Sequence, residues 1–506
     1  MHVPIRSILP AGSSGIIIET ECHFSNGLPG IVIVGLGNKA VDEARERVRS
    51  AFASSSIPMP RKRITINLAP ADVPKDSTSL DVCIAVAILN AAGSLQSFID
   101  TSTAFIGELG LEGTIRGIRG IIGKIVAGKQ HGINTFFVPK ANLDQALLVP
   151  GVKIYAPETL KDLLAVLDGS QGMPANTDDV FTKLPTAKQT AAHPLHDIAG
   201  QAQAKRALAI AAAGGHNIFL SGPPGTGKSM LAKALPSLLP PLSREEMLEV
   251  THLHSLHGAD YEQLVTTRPF RAPHHSTSYV AMIGGGARLK PGEVSLSHRG
   301  VLFLDEMPEF NRQTIEALRQ PLEDRTITVT RAKDSVSYAA DFILVATANP
   351  CPCGYYGTKQ PCTCPMYRIL QYRQKLSGPL MDRIDLYVEV EEVKHEQLLT
   401  TKYSDTSNQL PKKISTAIGL QSKRYGTSAR NAAMTNADIR SLANIDPGAL
   451  SLLNNAAQRL RLSARSYMRV IKVSRTIADL ESSAAIKPEH VSEALQYRAP
   501  ALRSLD

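Results

Sequence analysis

The 506-residue sequence predicts an α/β core, a parallel sheet flanked by helices, preceded by an α+β segment and followed by an all-α one. Three observations lead there. Between Asn217 and Pro350 the chain repeats short apolar strand, Gly-rich turn and helix, the order that parallel sheets require. Before residue 169, short β-branched runs alternate with helical stretches. Past residue 412 only helical patterns remain.

In the first segment Ile16–Ile18, Ile31–Val34, Ile64–Ile66 and Thr135–Val138 read as strands, and Val41–Phe52 and Leu80–Ala92 as helices between them. Residues 169–192 and 402–412 are polar, contain proline and lack apolar periodicity, so they read as linkers. The expected domains are therefore 1–168, 193–401 and 413–506. In the last, Ala429–Ala443, Pro447–Arg461, Ala464–Ser483 and Pro488–Tyr497 carry the helical pattern.

Composition narrows the class. Hydrophobic content of 43% and charged content of 20% are those of a globular protein. No apolar run reaches the ~18 residues of a membrane-spanning helix, and the N-terminus lacks the layout of a secretory signal. Six cysteines are too few for a disulfide scaffold, so a reducing, cytoplasmic address is expected. The net charge of +9 is compatible with a polyanion partner, since neutralised phosphates release counterions. Solvated surface lysines produce the same excess.

Asn217–Leu220 is a strand, Met230–Leu239 a helix, and between them lies Gly222-Pro223-Pro224-Gly225-Thr226-Gly227-Lys228-Ser229. This is a phosphate-binding P-loop in its required strand–loop–helix context. Glycines at 222, 225 and 227 let backbone N–H groups converge on phosphate oxygens, and the helix beginning near Met230 points its positive end the same way. Lys228 supplies charge for the β- and γ-phosphates of ATP, and the Ser229 hydroxyl a ligand for Mg²⁺. Val301–Leu304 is a buried-strand run ending in Asp305-Glu306, where Asp305 would orient Mg²⁺ and Glu306 would polarise the attacking water. Phe342–Ala348 is another such run, ending in Asn349, which can hold the lytic water or simply form a turn before Pro350.

These elements resemble the AAA+ ATPases: Walker A at 222–229, Walker B at 301–306, sensor-one Asn349. Arg268–Ser276, Gly284–Gly286, His298–Phe310 and Leu318–Arg325 resemble the magnesium-chelatase-like subgroup, and the layout is similar to its ComM/YifB branch. That resemblance implies a Lon-protease-like N-terminal domain, an AAA+ core, a helical lid, hexameric rings, and helicase or branch-migration work on DNA during uptake and recombination. It also implies an arginine finger at Arg383, within Ser377-Gly-Pro-Leu-Met-Asp-Arg383-Ile-Asp-Leu, that contacts a neighbour's γ-phosphate. Ser463-Ala-Arg465 resembles the sensor-two motif, with Arg469 as its rival. The completed site then takes Asn349, Arg465 and a neighbour's Arg383. A hairpin of the subgroup precedes Walker B, where Arg268, Arg271, Arg288 and Lys290 are candidates for contacting a DNA backbone; salt bridges are their alternative role.

Pro74–Asp81 places Ser79 where Lon proteases carry their nucleophile. Aligning Gly113–Lys124 with the Lon pattern puts Ile122 where the lysine base belongs, and Lys124, two residues on, is turned by about 200° on a helix. The domain is therefore expected to be non-proteolytic. Ile31–Ala40 imitates a dinucleotide fingerprint, but no ribose-binding acid follows it, so Gly35-Leu36-Gly37 is expected to be a turn. Cys351, Cys353, Cys362 and Cys364 place four thiols within 14 residues, a candidate structural Zn²⁺ site although C-x-C is tighter than the usual C-x₂-C. Two rival functions share these motifs: a chelatase-type ATPase remodelling a protein or metal-insertion partner, and a Lon-like ATP-dependent protease.

Overall fold

The computed structural model describes the chain outside residues 1–3, 12–13, 36–38, 72–74, 76–77, 96–98, 171–194, 258–263, 287–288, 332–333, 377, 394–404, 428 and 499–506. Arg288, Leu36, Gly37 and most of the 169–192 linker therefore lie outside the described residues. Two compact units emerge: 1–186 with 243–266 and 334–337, and 187–242 with 267–333 and 338–506. No described helix is long and apolar enough to cross a membrane.

The first unit holds β1 (Ile5–Ala11), β2 (Ser14–Ser25), β3 (Gly30–Val34), β4 (Arg63–Ala69), β5 (Thr103–Phe105), β6 (Glu108–Leu109), β7 (Ile115–Arg116), β8 (Thr135–Phe137) and β9 (Lys153–Tyr155). Seven of them form one mixed sheet in the order β3-β4-β2-β1-β5-β8-β9. In β4 the alternation is plain: Ile64, Ile66 and Leu68 are buried and the residues between them are not. The helix Asp81–Ala91 is apolar all round because it is buried all round, from Val82 to Leu89. Residues 243–257 and 264–266 belong to this unit although they follow the P-loop in sequence. The helix Arg244–His257 lies against Ile121–Gln130, where Gly123 makes room: a Cβ there would meet the His252 ring at 2.5 Å. Arg244 ties the same helix down by donating to the carbonyls of Leu147 (3.0 Å) and Leu148 (3.2 Å).

Further strands are β10 (Ile218–Ser221), β11 (Phe270–Arg271), β12 (Gly284–Gly285), β13 (Lys290–Pro291), β14 (Val301–Leu304), β15 (Thr326–Arg331), β16 (Asp334–Ala339), β17 (Ile343–Ala348) and β18 (Leu386–Glu389). Five of them build the second unit's parallel sheet, in the order β11-β14-β17-β10-β18. Every residue of β14 and β17 is buried, which explains their unbroken apolar character. The Ala-rich helix Ala202–Gly214 shares one core with Asp405–Tyr425 and Ala464–Leu480.

Three segments differ from expectation. Residues 405–412 are the start of the helix Asp405–Tyr425, not linker; burial of Ile414 and Ala417 carries the helix past Pro411. Ala429–Ala443 is not one helix: a short turn at Asn431–Ala433 is followed by Asn436–Leu442, begun by a Thr435/Asp438 capping box. The helix after the P-loop ends at Ala234 and tightens into a 3₁₀ turn, Leu235–Leu238, at Pro236.

Helix packing in this unit is keyed by a buried carboxylate. Asp479 accepts from Arg424 (2.5 and 2.9 Å), Arg475 (3.2 Å) and Asn431 (2.8 Å), and both it and Arg475 are buried. Asp479→Ala leaves two guanidinium groups uncompensated and is expected to cost about 3–5 kcal/mol. A thermal melt checks this; an unchanged melting temperature refutes the keying role.

Candidate functional site

The C-terminal ends of β10, β17 and β14 lie side by side, and each delivers one part of a site. From β10 comes the loop. Gly225 (φ +80°) and Gly227 (φ +87°) adopt left-handed backbone with open space where a side chain would stand, while a Cβ on Gly222 would meet the Val390 carbonyl oxygen at 2.2 Å. Thr226 steadies the loop by donating to the Pro223 carbonyl (2.9 Å). Lys228 Nζ donates to the carbonyls of Gly222 and Pro223 (2.7 Å each) and to Asn349 Oδ1 at the end of β17 (3.1 Å). Burial lowers its pKa, and Asp305 and Glu306 oppose that shift.

From β14 come the carboxylates. Ser229 Oγ lies 3.0 Å from Asp305 Oδ2, so hydroxyl and carboxylate are joined at one point and would hold Mg²⁺ together. Glu306 is exposed and sits at φ +51°, a conformation that a non-glycine residue adopts only when its surroundings impose it. Those surroundings include Thr347. Its hydroxyl donates to Asp305 Oδ1 (2.6 Å) and accepts from the Glu306 N–H (2.9 Å). Sequence reasoning missed Thr347; its signal was a fully buried polar residue within the apolar β17. Met230 is 42% exposed beside the loop. A glycine cradle, a lysine, a hydroxyl–carboxylate pair and a free carboxylate together fit a Mg²⁺-nucleoside triphosphate, with Glu306 able to polarise water.

Arg383 and Arg465 lie elsewhere. Asn217, preceding β10, donates to the Arg383 carbonyl (3.0 Å), which puts Arg383 at the end of β10 opposite the P-loop. The five residue steps from Asn217 to Gly222, along the four-residue β10, separate the two ends by about 15 Å. Arg383 pairs with Glu323, and Arg465 holds the same carboxylate at 2.9 Å, so Arg465 sits with Arg383 and not with the P-loop of its own chain. Arg469 is there too, 3.5 Å from Asp385. All three line one cavity of about 590 Å³ with Arg325, Lys472 and Asp341. Arg383 Nε is buried in it without a hydrogen-bond partner.

Among the DNA-contact candidates, Arg268 and Arg271 have identified partners within the chain. Arg268 is buried and donates to the carbonyls of Pro240 (2.5 Å), Arg299 (2.7 Å) and Pro241 (3.4 Å), which makes it a cross-brace. Arg271 forms a bidentate pair with Glu293, both contacts at 2.6 Å. Lys290 stands in the β12–β13 hairpin. The four cysteines do converge: sulfurs of Cys351, Cys353 and Cys362 are 3.3–3.7 Å apart, and the ligand atoms of all four, Cys364 included, lie within 4.8 Å of one another.

In the first unit the expected separation of Ser79 and Lys124 is corrected. Lys124 Nζ is 3.0 Å from Ser79 Oγ and 2.8 Å from the Ile8 carbonyl oxygen, while Ile122 is core. The two-residue rotation was sound, but alignment does not say which face of the helix Ile121–Gln130 looks toward Ser79. Burial pushes the Lys124 pKa down to about 7.

A five-stranded parallel sheet with a P-loop, an Asp-Glu pair and an asparagine on neighbouring strand ends defines a P-loop protein of the AAA+ class. The magnesium chelatase subunit ChlI model matches residues 194–398, with further ChlI models matching 20–142 and, for its C-terminal part, 404–498. Competence protein ComM of Haemophilus influenzae is 41% identical over 96% of both chains, and protein YifB of Escherichia coli is 42% identical over 95% of this chain and 94% of its own. Lon protease of Borrelia duttonii is 28% identical over 171 residues, 31% of this chain and 20% of its own. The chain belongs to the ComM/YifB family of magnesium-chelatase-type AAA+ proteins.

Proposed function

We propose that the chain hydrolyses ATP as a cytoplasmic hexameric ring that moves on DNA, in helicase and branch-migration work. The observation that carries the ring is the gathering of Arg383 and Arg465 on Glu323, at the sheet end opposite their own P-loop. Arginines suited to a γ-phosphate then serve a neighbour's nucleotide. ATP and Mg²⁺ occupy the Gly222–Met230 loop, Ser229 and Asp305, with Asn349 aiding the lytic water. Arg288 and Lys290, in or beside the β12–β13 hairpin by sequence, are our candidates for the DNA backbone. The net charge of +9 and the competence role in the name of the Haemophilus relative support a DNA partner. Structural Zn²⁺ on Cys351, Cys353, Cys362 and Cys364 is part of the same reading.

ATPase rates with forked, linear and no DNA test it. Forked or single-stranded DNA is expected to stimulate turnover, with stimulation falling steeply as salt rises. Turnover indifferent to every DNA favours instead the chelatase-type remodeller that the ChlI matches suggest.

One observation supports a second activity, the Lon-like one. Lys124, buried beside Ser79 Oγ with its pKa pushed down to about 7, can in its neutral form take the hydroxyl proton as that oxygen attacks an acyl or phosphonyl centre and displaces its leaving group, fluoride in the case of a fluorophosphonate. A neutral amine is the base, so labelling of Ser79 by a small fluorophosphonate is expected to rise with pH around 7 and to vanish in Ser79→Ala and Lys124→Met. Labelling of wild type no faster than that of Ser79→Ala refutes it. The same burial has a stability sign. The unfolded lysine, at its ordinary value of 10.5, binds more protons than the folded one between about 7 and 10.5, so this group's contribution to stability rises with pH across that window.

A further inference from the structure

The segment from Cys351 to Cys364 is packed onto the nucleotide site at both ends. It begins two residues after Asn349, whose Oδ1 accepts from the P-loop Lys228 (3.1 Å). Its first turn is closed by the Gly354 N–H donating to the Cys351 carbonyl (2.9 Å). Gly354 adopts φ +89° and presses on the P-loop itself: a Cβ there would lie 2.6 Å from Pro224 Cδ and 3.0 Å from Cγ. Beyond Cys364 the chain enters the helix Met366–Gln374, whose Tyr372 hydrogen-bonds the backbone of Asn349. Arg373 of that helix covers the Tyr356 ring at 5.2 Å.

This wedge has little core of its own. Between 351 and 364 only Cys351 and Gly354 are buried, and neither strand nor helix forms. Ordering so many residues with so little burial needs a cross-link. The sulfurs supply one. Tetrahedral zinc with Zn–S of about 2.3 Å separates its sulfurs by about 3.8 Å, close to the 3.3–3.7 Å spacings here and far from a disulfide. The Tyr356 N–H donates to Cys351 Sγ (3.3 Å), the kind of outer contact that orients a thiolate ligand.

We propose that metal on the four thiols sets the P-loop's grip on nucleotide, through the contact of Gly354 with Pro224 and the placement of Asn349; this rests on the zinc reading above. With the metal bound, the wedge holds Pro224 and the Asn349–Lys228 contact in place. Without it the wedge loosens, the glycine cradle loses its backing, and nucleotide is held less tightly.

The test uses the full-length chain and a fluorescent non-hydrolysable ATP analogue, with zinc measured by atomic emission. As purified, the chain is expected to hold about one zinc. Stripping with a chelator should weaken analogue binding about tenfold, and zinc re-addition should restore it. Gly354→Ala should keep its zinc, which also reports that the segment has folded, yet weaken binding comparably; Lys359→Ala, an exposed change in the same segment, should alter neither. If zinc is present but stripping changes affinity by less than about twofold, the coupling is overturned while the zinc reading stands. Under about half a zinc per chain, the zinc reading falls and takes this inference with it.

Discussion

Glu306→Gln is expected to leave ATP binding intact while reducing turnover by about 10²–10⁴-fold, the usual contribution of a general base. The separation of effects follows from the geometry. Binding depends on the glycine cradle, on Lys228 and on the Ser229–Asp305 contact at 3.0 Å, none of which is hydrogen-bonded to the Glu306 carboxylate. That side chain stands exposed at the head of β14, aimed by a left-handed backbone and by the N–H bond to Thr347. An amide of the same shape keeps the position and cannot take a proton from water. Phosphate release and analogue binding, measured on the same preparation, check both halves. Near-normal turnover removes Glu306 from the role of base.

Parts of this site that lie within one stretch of chain were legible in the sequence. A phosphate cradle needs glycines at fixed offsets, a lysine and a hydroxyl in one continuous loop, so residues 222–229 announce it. Asp305, Glu306 and Asn349 were readable because each ends a strand apolar enough to be buried on both faces. What depends on how one element is rotated or docked against another was not readable. Spacing turns Lys124 away from Ser79, whereas tertiary packing, which decides helix rotation, brings its Nζ to 3.0 Å from Ser79 Oγ. Arg268 has the composition of a phosphate contact, but three backbone carbonyls of its own chain surround it. The motif groups Arg465 with the P-loop, whereas docking of the helix Ala464–Leu480 sets it beside Arg383. The fold divides similarly. Unbroken apolar runs gave the central strands, while Asp405–Tyr425 was hidden by polar residues and Pro411 because its stabilising contacts come from the second half.

Mixing two inactive variants is expected to restore ATP turnover, and this is the sharpest consequence of the arginine placement. Arg383→Ala alone should lower turnover about 10³-fold or more, as loss of an arginine finger does, with little change in nucleotide affinity. The chain's own P-loop lies about 15 Å away along β10, beyond the reach of the Arg383 side chain. In a ring, therefore, each nucleotide meets Glu306 from one subunit and Arg383 from the next. Combining Arg383→Ala subunits with Glu306→Gln subunits creates interfaces in which the first supplies an intact Glu306 and the second an intact Arg383. Turnover of the mixture should exceed that of either variant by a clear margin and peak near equal proportions. A finger acting within its own chain predicts the opposite, because every subunit then carries one fatal change and no mixture recovers. The Glu323 carboxylate sharpens the contrast: it holds Arg383 and Arg465 together at the same end of the sheet, so Arg465→Ala should be rescued by Glu306→Gln subunits in the same way. Failure of both rescues in rings shown to be mixed would assign these arginines to the internal architecture of one chain.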